Sequence, residues 1–467
     1  MKTTLYPHQV KALEAVFASF SDPHWSLVEM PTGSGKSYVI KEIVEKAAHL
    51  QILVITPRKK LLQQLRETLL EEQEGMPPKR LGIMSASYGE ADGQEHDLVL
   101  GTNQTLISRS MKHPDLILID ECHLLGLNSA FWKFLRGFPN AKVVGLTATP
   151  FRGEKHIQSL GWHPIFRVSI LDLVKDKRLC PPRSIATGTV AASFEGNNLE
   201  KTDLLLDPLL LNAKKRDVKK LLVFCQNIAH AKHVAEKLAR LGEGSVFLVH
   251  SKLSDGDIKE QYNGFTQAVG RSWLINVTLV SLGVDIPCID AIVILRDVSS
   301  FSLFVQMLGR GLRLFSGKTE CLIFDFGNAT RRFGFIDQPD FEHTSSISMR
   351  NRTCNVAPFK ICECGTLNSA RAMACSYCKR MLPAGSKLNQ MSWDGSLLST
   401  PICVETLDHV SVAKLSEFAW EMTCKFRGGA ISAKDYFKQE PKVPRVGGLF
   451  LLEMIESDAA VIRQALQ

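Results

Sequence analysis

Four groups of residues in this 467-residue chain have the types and spacing to do chemistry. The first is Met30-Pro31-Thr32-Gly33-Ser34-Gly35-Lys36-Ser37, which lies between an apolar run and a stretch carrying Ile40, Ile43, Val44 and Ala47. Glycines let such a loop curl so that several N–H groups face one phosphate chain, and the helix that follows adds its dipole. Thr32, Gly33, Ser34 and Gly35 would form the cradle. Lys36 would neutralise the β- and γ-phosphates, and Ser37 would place a hydroxyl on Mg²⁺. Met30 departs from the strict pattern, which has glycine there, but the cradle proper runs from Gly33 to Ser37.

The second group ends an apolar run: Leu116-Ile117-Leu118-Ile119-Asp120-Glu121-Cys122-His123. Packing gives no reason for a buried strand to finish in adjacent carboxylates. Asp120 suits Mg²⁺ held through its water shell. Glu121 suits orienting and deprotonating an attacking water, and His123 is placed to report the nucleotide state to a neighbouring lobe. The third group is Gln306-Met307-Leu308-Gly309-Arg310-Gly311-Leu312-Arg313. Two arginines three apart are expected on one helical face. Set against the phosphate loop they would stabilise charge building on the γ-phosphate, an effect of roughly a thousandfold or more in rate. Arginines on a separate lobe would make hydrolysis depend on closure.

The fourth group is Cys362-Glu363-Cys364 with Cys375-Ser376-Tyr377-Cys378. Four thiolates from two turns make a closed, tetrahedral and therefore structural Zn²⁺ site. So small a module would depend on its metal, which contributes on the order of 10 kcal/mol in zinc peptides. Cys-x-Cys stands where Cys-x-x-Cys is usual, which leaves Cys354 as a substitute ligand. Arg350, Arg352, Lys360, Arg371, Lys379 and Arg380 flank the cluster. They suit contact with a phosphate backbone, and a protein-docking knob is an equal reading of the ribbon.

The elements that must position these groups follow from apolar periodicity. Val10, Leu13, Val16, Phe17 and Phe20 predict a helix over 10–20. Apolar runs at 26–30, 52–56, 116–120 and 143–146 predict one series of buried strands. Runs at 221–225, 246–249, 273–277, 291–295 and 321–326 predict a second. Alternation with amphipathic stretches predicts an α/β protein with parallel sheets. One split α/β enzyme would give the same periodicity, and it is the motifs that decide for two lobes in tandem. Residues 151–215, irregular and containing Pro181-Pro182, separate the two series. The expected division is 1–165 for the first lobe, 166–215 for an inter-lobe connection and 216–330 for the second lobe. It continues as 331–358, a polar linker, 359–385, a zinc ribbon, and 386–467, a mostly helical tail of unknown role. That tail has modest helical pattern at 410–422 and a loop-like stretch at 442–448.

A net charge of +8 and a pI near 8.8 permit a polyanionic partner, and 45% hydrophobic with 22% charged residues fits an ordinary soluble protein. No run approaches the roughly 18 apolar residues of a membrane span. The amino terminus lacks the apolar core of a signal peptide, so a cytoplasmic protein is expected. The eight cysteines outside the cluster are scattered, several within apolar runs, as small core residues of a reducing compartment are.

Taken in order, the motifs resemble those of superfamily 2 helicases. Gln9, in Tyr6-Pro7-His8-Gln9, resembles the glutamine that reads adenine. Thr56-Pro57-Arg58 and the segment around Thr102 resemble nucleic-acid contacts of the first RecA-like lobe, and Gln226 with Asn227 resembles one of the second. Gly145-Leu146-Thr147-Ala148-Thr149-Pro150 resembles the segment that couples hydrolysis to strand movement, and Gly283-Val284-Asp285 the one that approaches the ribose. The stretches 290–296, 306–314 and 317–325 look most like bacterial RadD DNA-repair helicases, and compact phage helicases are similar. The resemblance covers roughly 4–330 and 359–382 and does not extend over residues 386–467. It implies ATP hydrolysis driving movement on, or separation of, single-stranded, forked or branched DNA. RNA is the nearest alternative partner, and double-strand branch migration without unwinding is another. A protein partner would use the ribbon or the tail.

Overall fold

The computed structural model describes residues 5–57, 59–70, 81–84, 96–108, 111–124, 130–152, 155–185, 189–190, 199–277, 286–327, 329–336, 359–369, 372–382 and 398–399. Of the expected site residues, Arg58, Gly283 and Asp285 lie outside these, as do Cys354, Arg350, Arg352, Arg371 and the helical pattern at 410–422.

The chain opens with α1 (Pro7–Ala18) and β1 (Trp25–Glu29), followed by α2 (Lys36–Lys46), β2 (Ile52–Thr56) and α3 (Lys59–Leu70). Next come β3 (Leu81–Met84), β4 (Leu98–Thr102), α4 (Asn103–Leu106), β5 (Leu116–Asp120), α5 (Ala130–Arg136) and β6 (Lys142–Thr147). A short hairpin of β7 (Phe151–Arg152) and β8 (Lys155–His156) precedes β9 (Trp162–Arg167). These strands form a parallel sheet of order β3-β4-β2-β5-β6-β1-β9. Strands buried on both faces need continuous apolar runs, and the Leu116–Ile119 run supplies one. One face packs on α1 and α2 through Leu13, Val16, Ile40, Ile43 and Val144. The other packs on α5 through Phe131, Leu135, Leu27 and Ile117.

After α6 (Ile170–Lys175), β10 (Pro182–Ile185) enters a second sheet with β12 (Lys220–Cys225), β13 (Ser245–Val249), β14 (Ser272–Asn276), β15 (Ala291–Leu295) and β16 (Cys321–Asp325). Its order is β10-β16-β15-β12-β14-β13, all parallel. Helices α7 (Leu199–Lys215) and α8 (Ile228–Arg240) cover one face; α9 (Asp255–Gln267), α10 (Phe301–Gly309) and α11 (Ala329–Phe333) cover the other. A strand pair of β11 (Thr189–Val190) with β19 (Leu398–Ser399) and the hairpin β17 (Phe359–Ile361) with β18 (Leu367–Ser369) complete the described elements. Among the described residues no helix is long and apolar enough to cross a membrane.

The described residues of 151–215 are not an irregular connection. β9 extends the first sheet to Arg167, while β10 is the edge strand of the second and Leu205, Leu206 and Leu209 of α7 are in its core. Phe151, Ile170, Leu173 and Leu179 also pack into the second lobe's core. The strands are short, and Pro208 lies inside α7 where proline disfavours a helix, so tertiary packing decides their state. The edge strand β3 and its neighbour β4 were likewise not expected.

Candidate nucleotide cleft and metal centre

The phosphate loop leaves β1 and enters α2, with Gly35 at the N-cap. Gly33 and Gly35 both have positive φ (86° and 85°), so an L side chain would strain the loop at either position. Space reinforces the point: a Cβ on Gly35 would stand 2.2 Å from Gln9 Nε2. Gln9 itself is buried and committed at both ends of its amide. Oε1 accepts from the Tyr6 N–H (2.8 Å), and Nε2 donates to the Ser34 carbonyl (3.1 Å), which His8 Nε2 also meets at 2.9 Å. Gln9 thus ties α1 to the loop, a role beside the expected reading of adenine.

Lys36 Nζ donates to the Met30 carbonyl (3.2 Å) and lies 3.8 Å from Glu121 Oε1. Asp120 ends β5, and Glu121 turns the chain with φ 49°, a left-handed conformation uncommon outside glycine. Its N–H donates to Asp120 Oδ1 (3.0 Å). Burial, then repulsion from Glu121, pushes the Asp120 carboxyl well above the usual carboxylate range, despite Lys36. Burial alone would raise Glu121 too, but Lys36, His123 and the Ala148 backbone hold it below that range. Glu121 therefore stays charged, with Oε2 buried 3.3 Å from His123 Nδ1. A charged carboxylate held between Lys36 and His123 suits orienting a water. The hard oxygens of Asp120 and Ser37 suit Mg²⁺, whose charge would offset the cost of burying Asp120.

The second lobe closes on this loop. A Cβ on Gly33 would sit 3.6 Å from Arg313 Cγ, and one on Gly309 would sit 2.7 Å from Thr32 Cβ. The structure corrects the expected helical face for the arginines: α10 ends at Gly309, Arg310 is its C-cap, and Arg313 lies beyond it. Half-buried Gln306 remains on α10. A polar chain also crosses between lobes. His123 Nδ1 meets Thr147 Oγ1 at 2.8 Å, and His123 Nε2 meets Ser302 Oγ of α10 at 3.1 Å. Ser302 Oγ in turn meets Thr149 Oγ1 at 2.8 Å, while the Thr149 N–H donates to Thr147 Oγ1 (3.0 Å). Ser302 was missed by sequence reasoning. Its signal was its position one helical turn before Gln306.

The other expected contacts are placed less tellingly. Thr56 is buried at the end of β2, Pro57 is half-buried, and Thr102 Oγ1 meets Thr105 Oγ1 at 3.1 Å. Gln226 Oε1 accepts from the Asp297 N–H (3.0 Å), and Asn227 Oδ1 accepts from the His230 N–H (2.9 Å) to cap α8. Both oxygens thus support the second lobe.

The Sγ atoms of Cys362, Cys364, Cys375 and Cys378 all lie within 4.8 Å of one another; Cys362–Cys378 is 3.5 Å and Cys364–Cys375 is 3.7 Å. Sulfurs about 2.3 Å from a tetrahedral Zn²⁺ stand about 3.8 Å apart, so the Cys-x-Cys knuckle fits the ion. The cluster is anchored to the second sheet by Arg183 of β10. Its Nε donates to Thr366 Oγ1 (2.8 Å), Nη2 to the Cys364 carbonyl (3.0 Å) and Nη1 to Glu320 (3.2 Å), and the guanidinium lies 3.4 Å from the Tyr377 ring centroid. Among the described residues five further cysteines, at 122, 180, 225, 288 and 321, are buried and free.

Two family models match the chain: "Type III restriction enzyme, res subunit" over 2–152 and "Helicase conserved C-terminal domain" over 200–315, together more than half of it. The chain belongs to the superfamily 2 helicases. Among its relatives is irc3 of Schizosaccharomyces pombe, by name a mitochondrial ATP-dependent helicase, 28% identical over 74% of this chain and 61% of that one. Irc3 of Saccharomyces cerevisiae is 26% identical over 67% and 49%. The chain therefore spans about half to three fifths of the curated relatives it matches. A fragment of an HsdR subunit of a type I restriction enzyme from Vibrio vulnificus shares the fold, with a TM-score of 0.56, 25% identity, and coverage of 72% of this chain and 66% of that one.

Proposed function

We propose that the protein is an ATP-driven motor on DNA, coupling ATP hydrolysis to movement along, or separation of, its strands. The observation that carries the reading is the joint occupation of one cleft by both lobes, with Lys36 beside Glu121 and Arg313 against Gly33. Lys36 and the loop N–H groups bind the β- and γ-phosphates, and Glu121 orients the attacking water. Arg310 and Arg313 stabilise the charge that develops on the γ-phosphate. Bound Mg²⁺, held by Asp120 and Ser37, supplies further neutralisation of that charge. The His123–Ser302–Thr149 chain couples the Glu121 state to the other lobe. DNA is favoured by the restriction-enzyme names among the related proteins, such as the EcoAI endonuclease subunit of Escherichia coli, 25% identical over 70% of this chain and 46% of that one. It is also favoured by the RadD-like pattern at 306–325. The cysteine cluster holds structural Zn²⁺.

The test is steady-state ATPase rate with no nucleic acid, single-stranded, duplex and forked DNA, and matched RNA, with Lys36→Ala as control. Stimulation by DNA that is lost in the control is expected, and the best DNA identifies the substrate form. Stimulation by RNA alone moves the assignment to RNA remodelling, and no hydrolysis under any condition ends it.

A further inference from the structure

We propose that Lys318 is the positioning residue for Arg313, fixing the turn from which Arg313 reaches the phosphate loop; this rests on the ATPase reading above. Because α10 ends at Gly309, the arginine segment has no continuing helix to set its backbone. The chain turns through Leu314 and Phe315, both about half exposed, and returns at Gly317 (φ 79°) to bring Lys318 alongside. Lys318 Nζ donates to the Gly311 carbonyl and to the Arg313 carbonyl (3.0 Å), and its N–H donates to the Phe315 carbonyl (3.1 Å).

Two other restraints act earlier in the segment. Leu312 is 1% exposed, and its carbonyl accepts from the Cys180 N–H (2.7 Å). Gly311 packs so closely that a Cβ would stand 2.3 Å from Cys321 Sγ. These locate Gly311 and Leu312, whereas the ammonium of Lys318 reaches the backbone of Arg313 itself. Two carbonyl oxygens converge on that ammonium. Without a cation they repel each other; with one they accept charge-assisted hydrogen bonds. Loss of Lys318 would open the turn and shift the base of the Arg313 side chain, and a displacement of about 1 Å costs on the order of a hundredfold in rate.

The experiment measures ATPase kcat and KM at saturating DNA for the wild type, Lys318→Met, Lys318→Arg, Arg313→Ala and the Lys318→Met/Arg313→Ala pair. Affinity for a non-hydrolysable ATP analogue and the melting temperature are measured on each. Lys318→Met is expected to lower kcat roughly ten- to hundredfold, with KM and analogue affinity within about twofold. Lys318→Arg should recover most of the loss, and Lys318→Met should add nothing in the Arg313→Ala background. Lys318→Gln, which keeps a donor, stands in if the methionine variant does not fold. A Lys318→Met enzyme equal to wild type, or one losing the same factor with and without Arg313, overturns the positioning role while leaving the ATPase reading intact. A wild type with no ATPase overturns both.

Discussion

The residues that meet at the nucleotide cleft come from positions as far apart as Gln9 and Arg313 on two lobes, whereas the four cysteines lie between 362 and 378. The cleft is assembled where loops and helix ends of the two lobes meet, so small changes at the lobe contact act on chemistry. Among the described residues the cysteine cluster buries little apolar surface beyond Cys362, Leu367, Cys375 and Leu382, so its order would rest on a bound metal and on Arg183. One site depends on alignment and the other on cohesion, and their failures should differ accordingly.

The largest effect expected is at the cleft. Glu121→Gln should lower ATP turnover by roughly 10²- to 10⁴-fold while filter binding of ATP persists; a variant that binds no nucleotide would show that Glu121 builds the site rather than serving it. Gly309→Ala comes next. It improves helix propensity within α10 yet places a methyl 2.7 Å from Thr32 Cβ. Turnover should fall on the order of a hundredfold with no loss of melting temperature. Unchanged turnover would mean that the lobes do not meet this closely during hydrolysis.

Cys375→Ser tests the opposite kind of site. Metal content by atomic absorption should fall from one Zn²⁺ per chain to near zero, and the segment around Cys364 should become protease-sensitive. Nucleotide affinity should stay within about twofold, since the cluster lies at the β10 edge. A large loss of ATP binding would erase the distinction drawn between the sites.

The smallest effect concerns the second lobe, which both sites share. His230 Nε2 meets Thr202 Oγ1 at 3.0 Å, and Nδ1 accepts from the Gln226 N–H. Burial, with help from His233, pushes its pKa down to about 4. The unfolded chain therefore binds more protons than the native one as pH falls through the ordinary histidine range. Stability from keeping His230 neutral is complete above about pH 6.5 and lost as pH falls toward 4, on the order of 2–3 kcal/mol. Urea unfolding of wild type and His230→Gln across pH 7 to 4.5 should show a shallower slope in the variant; parallel curves would assign the pH dependence elsewhere.

Much was legible from sequence because it is written in adjacent residues. The strands at 52–56, 116–120 and 291–295 appear at their expected places, since strands buried on both faces must be continuously apolar. Both the phosphate loop and the cysteine spacing are local, so residue type and distance along the chain suffice to find them. The short edge strands β3 and β10 were not legible, because pairing with a neighbour rather than their own pattern makes them strands.

The sequence by itself thus determined two α/β lobes, a phosphate-binding loop followed by paired carboxylates, and a four-cysteine cluster. Only the tertiary structure decided that β10 and α7 belong to the second lobe, and that Arg313 leaves the helix and is tied by Lys318. It alone also decided that Ser302 bridges His123 to Thr149, that Gln9 Nε2 donates to the phosphate loop, and that Arg183 anchors the cysteines. Each is a contact between residues distant in sequence, formed by side chains whose types are ordinary. Residue type tells what a group can do; the packing of the two sheets sets what it meets.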